Sequence, residues 1–542
     1  MSEEKKTENK GIVMSSAILA GAQILVRLIG LFYRVPIQRI IGDVGNGYYG
    51  AAYEIYQFIL LLSANGVPTA VALLTSRHLA RREYNNVFKI LKGSMIFALI
   101  MGGAVTLFTL IGADWLAVAL YGPDYSEISI SLRVLAPTLL ISAVMGVYRG
   151  FFQGQDKMMP TALSQLVEQI VHAAVSIIAA SILIAYGPAW GAAGSTLGTC
   201  IGALAGLIFI VVVYHYFKPK FMKLLKKDET KQRLGNGEIM KMVAVTMAPV
   251  VLSSTIYQLS GIIDTSMFYK VMSTLDYDSD TIAEMFGIYS GEYKMLINVP
   301  LAVTSSIGVA LIPAVTSLVS VGKTQEAKAK IGSIIKLSNL VAIPACVGLI
   351  ALADPIMNLL YSINNNIPIR LLQLGAITVV TYSFSTVTIA ILQGMGKMKV
   401  PVINSLISLG VHVVVVYIML KYADMNIYAL VYGNLVFSFL MCALNLAALY
   451  HYLGYKQEIV RSYLIPAAAA IIMGVFAFFV FKGIYAICGI RLIGVVVSIL
   501  LAIIVYAILL VLFGGMNRDE ILDLPKGQVL LNLLEKIHLI RE

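Results

Sequence analysis

Apolar residues run through this chain in long blocks separated by short polar stretches. The blocks fall at roughly 11–33, 47–76, 93–112, 129–152, 159–186, 190–217 and 240–270. A second set follows near 285–319, 331–353, 369–393, 399–420, 426–453, 463–485 and 490–514. An apolar helix needs about 20 residues to cross the hydrocarbon core of a bilayer, so the pattern predicts about fourteen crossings. The fold class expected is an all-α polytopic membrane protein. The first block follows a polar stretch, 1–10. It is too long for a signal-peptide core and lacks a small-residue cleavage site, so it is expected to be a retained span.

The polar stretches alternate in charge. Arg77, Arg81, Arg82, Lys89 and Lys92 form one basic set, and Lys218, Lys220, Lys223, Lys226, Lys227, Lys231 and Arg233 a second. Lys323, Lys328 and Lys330, then Lys397 and Lys399, continue it. The intervening stretches are poorer in cations and often acidic: Asp114, Asp124 and Glu127; Asp276, Asp278, Asp280 and Glu284; Asp354. The positive-inside rule then puts the basic stretches and both termini in the cytoplasm, and the protein in the inner membrane. An even number of spans agrees.

Composition sharpens this picture in two ways. Only 13% of the 542 residues are charged, against roughly 25% in soluble domains. The net charge of +11 is therefore read as cytoplasmic loop lysine and arginine, and no nucleic acid is expected as a partner, since no basic, aromatic-interleaved soluble domain is present. Cys200, Cys346, Cys442 and Cys488 all lie in apolar blocks without a C-x-x-C pair. They are expected as core thiols, with no disulfide framework and no metal site.

The chain repeats itself at a spacing of about 240 residues. Asp114-x6-Tyr121 matches Asp354-x6-Tyr361, and Gln153-Gly154-x-x-Lys157-Met158 matches Gln393-Gly394-x-x-Lys397-Met398. His172 matches His412, and Tyr214-His215-Tyr216 matches Tyr450-His451-Tyr452. Matched stretches keep the same charge sign, so the copies are parallel and each holds an even number of spans, about six. The expected organisation is a tail at 1–10, a six-helix lobe at 11–217, and a basic linker at 218–239. A second six-helix lobe follows at 240–453, then an extra helix pair at 454–514. The end, 515–542, is expected to be an amphipathic cytoplasmic tail lying on the membrane or packed on the loops.

Charges inside spans cost roughly 2.5–3.5 kcal/mol each on insertion scales, and they persist where a wet cavity or a partner receives them. Arg27, Arg34, Glu54, Arg149, Glu168, Asp264, Glu292 and Lys294 are the candidates. Arg27 with Glu54 is one conceivable ion pair. Arg149 is read as snorkelling to the inner surface. Glu168 and His172, four residues apart, share a helix face and are read as a satisfied buried pair, with a proton relay as the sharper alternative. Asp264 with Asn404 and Ser408 makes an oxygen-rich set suited to a hard cation such as sodium, or to an interhelical hydrogen-bond cluster. Asn65-Gly66-Val67-Pro68 and Asn298-Val299-Pro300 are expected kinks. No Walker loop, nucleophile elbow or H-x-x-H appears, so no enzyme and no cofactor is expected, and any coupling is to Na+ or H+.

Three segments carry a family likeness: Arg27-Leu-Ile-Gly30-Leu-Phe-Tyr33-Arg34-x4-Arg39-Ile-Ile-Gly42, Gln258-Leu-Ser-Gly-Ile-Ile-Asp264-Thr265, and Tyr293-Lys294-x4-Val299-Pro300 continuing to Ile312-Pro313. Together they resemble the MurJ/SpoVB-like lipid-linked oligosaccharide flippases of the multidrug/oligosaccharidyl-lipid/polysaccharide (MOP) exporter superfamily. The resemblance implies fourteen helices around a V-shaped cavity and transport of an undecaprenyl-pyrophosphate-linked sugar. It implies basic residues of the first, second and eighth spans facing that cavity. Arg27 matches the first of these and Lys294 the eighth-span arginine, while Tyr33 stands where the second first-span arginine would be, with Arg34 one residue on. Leu60 or a neighbour stands at the second-span position. The substrate-binding set expected is thus Arg27, Arg34, Lys294 and Glu54, and the partners are an anionic lipid-linked oligosaccharide and membrane lipid, bound by a monomer. A cation-coupled multidrug exporter of the same superfamily is the main alternative, and a non-transporting scaffold the second. Intramembrane basic residues count against the exporter of cations, and any intramembrane charge counts against the scaffold.

Overall fold

The computed structural model describes residues 3–516 except 231, 276, 362 and 364, together with 528. Of residues 3–20, 23, 24, 28, 249, 250, 252–254, 256, 257 and 307–314, only the backbone is described. The amphipathic tail expected at 515–542 lies, beyond 516 and apart from 528, outside the described residues.

Helices make up almost all of it: α1 (Glu3–Leu60), α2 (Val67–Ala80), α3 (Tyr84–Tyr121), α4 (Ile128–Gln153), α5 (Met158–Leu183), α6 (Pro188–Leu224), α7 (Asn236–Ser273), α8 (Ser279–Gly287) and α9 (Lys294–Ser320). There follow α10 (Thr324–Ala351), α11 (Ala353–Leu360), α12 (Ile367–Gly375), α13 (Ile377–Gly394), α14 (Lys399–Lys421), α15 (Tyr428–Leu453), α16 (Ile465–Cys488) and α17 (Arg491–Leu512). Eleven segments among the described residues are long and apolar enough to cross a membrane. The protein is a multi-pass, all-α membrane protein, as the apolar blocks predicted.

Gly42 divides α1, with φ 67° and ψ −178°. That conformation is open to glycine and costly for a residue with a Cβ. The polar gap expected between the first two blocks is therefore mostly helical, with the turn concentrated in one residue. Leu61–Asn65 forms a π-helical turn just before Val67-Pro68, so the irregularity expected at 65–68 is present. The one expected at 298–300 is displaced. The backbone is π-helical at Ile288–Tyr293 and α-helical from Lys294 through Pro300.

The chain forms two compact units, 1–291 and 292–542. In the first, α5 packs on α6, α3 and α6 on α4, and α1 on α5 and α8. α8 approaches the part of α1 just beyond Gly42 backbone to backbone: a Cβ at Gly47 would collide with the carbonyl of Ala283, and one at Gly287 with that of Asp43. In the second unit, α9, α10 and α13 pack together, α14 pairs with α15, and α16 and α17 pair beside α10.

The segment joining α6 to α7 is bound down onto the start of α3. Asn85 donates to Asp228 from its backbone N–H (3.0 Å) and its side-chain amide (2.5 Å). Arg82 pairs with Glu229 at 3.2 Å, and Lys89 donates to the Leu234 carbonyl at 2.9 Å. Asn86 donates to the Gln232 carbonyl and accepts from the Leu234 N–H. Glu83 completes this clasp, accepting from His78 (2.5 Å) and Asn86 (3.1 Å). Those two hydrogen bonds, His78 first, hold the Glu83 carboxyl below its usual range. Burial acts to raise Asp228, but the hydrogen bonds from Asn85 and Thr230 outweigh it and hold that carboxyl low too.

The repeat is visible in the elements. The two Gln-Gly-x-x-Lys motifs close α4 and α13, the two histidines lie in α5 and α14, and the two Tyr-His-Tyr motifs lie in α6, eight residues before its end, and at the end of α15. Each motif lysine sits over an aromatic ring of its own unit, Lys157 over Phe217 at 3.3 Å and Lys397 over Tyr452 at 4.5 Å. All four cysteines are free thiols, with Cys488 exposed rather than in the core.

Candidate functional site

The candidate site is best built from α1, which carries three of the expected residues. Arg27 and Arg34 are seven positions apart on continuous helix. At 100° per residue they lie within about 20° of one another on one face, about 10 Å apart along the axis. Arg27 is exposed, and among the described residues no ion pair or hydrogen bond reaches it, Glu54 included. Arg34 is half-buried, with its guanidinium 4.3 Å from the centre of the Tyr49 ring. Among the described residues no carboxylate pairs with it. Cation–π contact of this kind fixes a guanidinium without neutralising it.

Tyr49 heads a row of tyrosines. Its ring stacks on Tyr53 at 5.4 Å, and Tyr53 meets Tyr56 at 5.5 Å. The spacing of four and then three places all three on one helix face. That spacing was available in the sequence, but three tyrosines in an apolar block carry no signal until Arg34 is seen resting on the first.

Glu54, on the same crossing, is half-buried. Gly261 of α7 faces it closely enough that a Cβ there would lie 2.5 Å from Oε2. Tyr33 is buried and its hydroxyl lies 3.2 Å from His172 Nε2, which is also 3.3 Å from Thr199 Oγ1.

Two expectations are corrected in α4 and α5. Arg149 does not snorkel. Its Nη2 donates to Glu168 at 2.7 Å and to Ser164 at 2.8 Å, and its Nε to Ser164 at 3.1 Å. Glu168 and His172 share a face, yet they are satisfied separately, Glu168 by Arg149 and His172 by Tyr33 and Thr199. The helix periodicity placed the two side chains together, but the partners come from α1, α4 and α6, which no local pattern reveals.

Asp264 is buried in α7 of the first unit. Asn404 and Ser408 are buried in α14 of the second, where Asn404 donates to Asn445 at 2.9 Å and Ser408 to the Asn404 carbonyl at 2.8 Å. Asn445 in turn donates to Thr388 at 3.0 Å. Lys294 opens α9 and is half-buried in the second unit, next to the buried Glu292 and Tyr293.

A bundle with eleven segments able to cross a bilayer among its described residues defines a multi-pass membrane protein, and two arginines in one of those segments pair with no carboxylate among the described residues. The chain belongs to the polysaccharide biosynthesis protein family, whose model matches residues 12–319, and the MatE model matches residues 294–418. It is similar to the lipid II flippase MurJ of Bacillus subtilis (strain 168), 26% identical over 493 residues, covering 86% of this chain and 90% of that one. It is also similar to stage V sporulation protein B of the same organism, 24% identical over 521 residues, with 96% and 98% covered. Among solved structures it shares the fold of the lipid II flippase MurJ in an inward closed conformation, with a TM-score of 0.63, 15% identity, and 91% and 98% covered. The resemblance to MurJ/SpoVB-like proteins of the MOP superfamily, read from the three segments, is borne out. The coarse function is that of a membrane transporter or flippase of this superfamily.

Proposed function

We propose that this protein flips an undecaprenyl-pyrophosphate-linked sugar, lipid II or another cell-envelope polysaccharide precursor, from the cytoplasmic to the outer leaflet by alternating access. The observation that carries the reading is the Arg27–Arg34 stripe. Two guanidinium groups stand on one face of a span with no carboxylate paired to either among the described residues. Intramembrane cations left in that state call for an anion, and a diphosphate offers charge and several acceptor oxygens. Lys294, half-buried in the second unit, is a further candidate cation on this reading, and Glu54 lies beyond Gly42 on the stretch whose Tyr49 holds Arg34. The reading takes Leu25–Ala80 as two crossings and adds α7 and α9 to the remaining spans, which makes fourteen. It groups them as two six-helix lobes and an extra pair, with both termini cytoplasmic.

A cation-coupled exporter is the competing function, and the match of residues 294–418 to the MatE model keeps it in view. The two separate on ligand charge. Each charge-assisted hydrogen bond to a phosphate oxygen contributes roughly 1.5–3 kcal/mol. Arg27→Ala and Arg34→Ala should each weaken binding of undecaprenyl pyrophosphate by about ten- to a hundredfold. Arg34→Lys should retain part of the affinity, because it keeps the charge and loses the planar fork. Both alanine variants should reach the membrane at parental abundance and fail to complement loss of flipping. Parental affinity for the pyrophosphate lipid in either variant, or binding of lipophilic cations that competes with it, would overturn the proposal.

A further inference from the structure

The two copies of the repeat end their sixth helices differently, and the difference exposes a surface the transport reading does not use. In the second unit α15 stops at Leu453, and Gly454 caps it in the left-handed conformation at φ 62°. In the first unit α6 runs on to Leu224, for 37 residues, or about 55 Å. That is well beyond the ~30 Å of a hydrocarbon core. The extension is anchored by Phe221, which is buried and meets the Phe151 ring of α4 edge-on at 5.5 Å. Both copies keep the motif lysine over its ring, so the fold itself does not require the extension.

The extension is basic on the face that looks outward. Ile208, Val212 and Tyr216 are exposed large side chains on one stripe of α6. Continued at 100° per residue, the stripe from Val212 passes through Tyr216, Lys220 and Lys223 within about 80°. Lys227, just past the helix end, continues it, and all three lysines are exposed. Apolar residues, then an interfacial tyrosine, then lysines is the order in which a helix meets lipid tails, the interface and headgroups.

Two acids at the end of the extension are bonded elsewhere. Asp228 and Glu229 are the carboxylates that follow the lysines, and the clasp commits them to Asn85 and Arg82. Among the described residues no carboxylate forms an ion pair with Lys157, Lys220, Lys223 or Lys227. Lys157 stands beside them on Phe217, and its ammonium is pushed below its usual value by burial and by the charge of Lys220.

We propose that the outward face of the α6 extension is a binding site for anionic phospholipid of the surrounding bilayer, with Lys157, Lys220, Lys223 and Lys227 as phosphate contacts. The ligand is a phosphodiester headgroup whose acyl chains lie along Ile208 and Val212. The site therefore faces the annulus of lipid and differs from the arginine stripe of α1. It rests on the membrane reading of α6 and not on the identity of the transported lipid.

The test is direct binding of dioleoylphosphatidylglycerol, against dioleoylphosphatidylcholine, to the purified full chain in neutral detergent. Each lysine at an anionic headgroup surface is worth about fivefold in affinity, and three about a hundredfold. The triple variant K220Q/K223Q/K227Q should lose phosphatidylglycerol affinity by that factor with phosphatidylcholine binding unchanged, and Lys157→Gln should lose about fivefold. The control K323Q/K328Q/K330Q, which removes the same charge from the start of α10, should bind as the parent does. Equal losses in the control would reduce the effect to net charge and overturn the site, as would parental affinity in the triple variant. Displacement of phosphatidylglycerol by undecaprenyl pyrophosphate would make this a loading site for cargo and overturn the annular assignment. Binding is read without transport, so it can fail while the flippase reading stands, and the converse.

Discussion

Arg149→Ala is the substitution whose cost the structure defines best. Arg149 is 13% exposed and makes three hydrogen bonds, two to Ser164 and one to Glu168. Removing it leaves a carboxylate that is 29% exposed without its counter-charge. Breaking a buried pair from one side costs about 3–5 kcal/mol. The partial exposure of Glu168 puts this case at the low end, near 3 kcal/mol, or about a hundredfold in the folding equilibrium. The readout is heat stability of the detergent-solubilised protein, followed by fluorescence-detected size exclusion. Arg149→Lys should lose less, since it keeps the charge but satisfies fewer acceptors. Adding Glu168→Gln to Arg149→Ala should recover part of the loss, and the apolar pair R149M/E168M should fall close to the parent. An Arg149→Ala protein as heat-stable as the parent would refute the pairing and return Arg149 to the membrane surface. So would a double variant that shows no recovery.

Acid should open the clasp between α6 and α7. Glu83 and Asp228 have folded-state values held below their usual 4.5 and 3.8. Their contribution is therefore present above those values and lost as the pH falls through the lowered ones. Hydrogen exchange at the amides of Asp228, Glu229 and Leu234, corrected for intrinsic rate, should rise below about pH 4, and Asp228→Asn should blunt that dependence. Exchange that does not change with acid would count against the clasp. The orientation proposed from charge is checked with single cysteines at Lys226 and Lys328, labelled from the cytoplasmic side, and at Asp124 and Asp278, labelled from outside. A reversed pattern would invert the topology.

Span existence was legible because bilayer crossing is a demand on local composition. The breaks were legible where a residue type forces them, as at Gly66-Val67-Pro68. They were not where the backbone has a choice. Gly42 takes the whole bend between the first two crossings, and the π turn at Ile288–Tyr293 contains no proline to announce it. The basic linker invited a boundary at 218–239. In the structure Asp228, Glu229, Gln232 and Leu234 of that stretch bond to α3 and its approach, and the compact units divide at Gly291. A run of lysines shows which side of the membrane it prefers. The clasp depends on a few carboxylates and asparagines whose partners lie about 145 residues away, and no pattern of charge reports that.

The repeat supplies a test of the Arg149 argument within the chain itself. Shifted by the repeat spacing of about 240 residues, Arg149 falls on Ile389, Glu168 on Ser408 and Ser164 on Asn404. Both charges are missing from the second copy together. Had Arg149 been a snorkelling residue and Glu168 half of a relay with the histidine, each could have been lost alone, and the glutamate would have been expected to stay with His412. What persists is the histidine, while the arginine and the glutamate are replaced as one. The space they fill in the first unit holds a neutral network in the second, in which Asn404 bonds to Asn445 and Asn445 to Thr388. That is the behaviour of an ion pair whose members are costly singly and dispensable jointly. It also separates the charges of this protein by role. Arg149 is answered by a carboxylate and its equivalent position does without it, whereas Arg34 is held on a tyrosine ring with its charge left over.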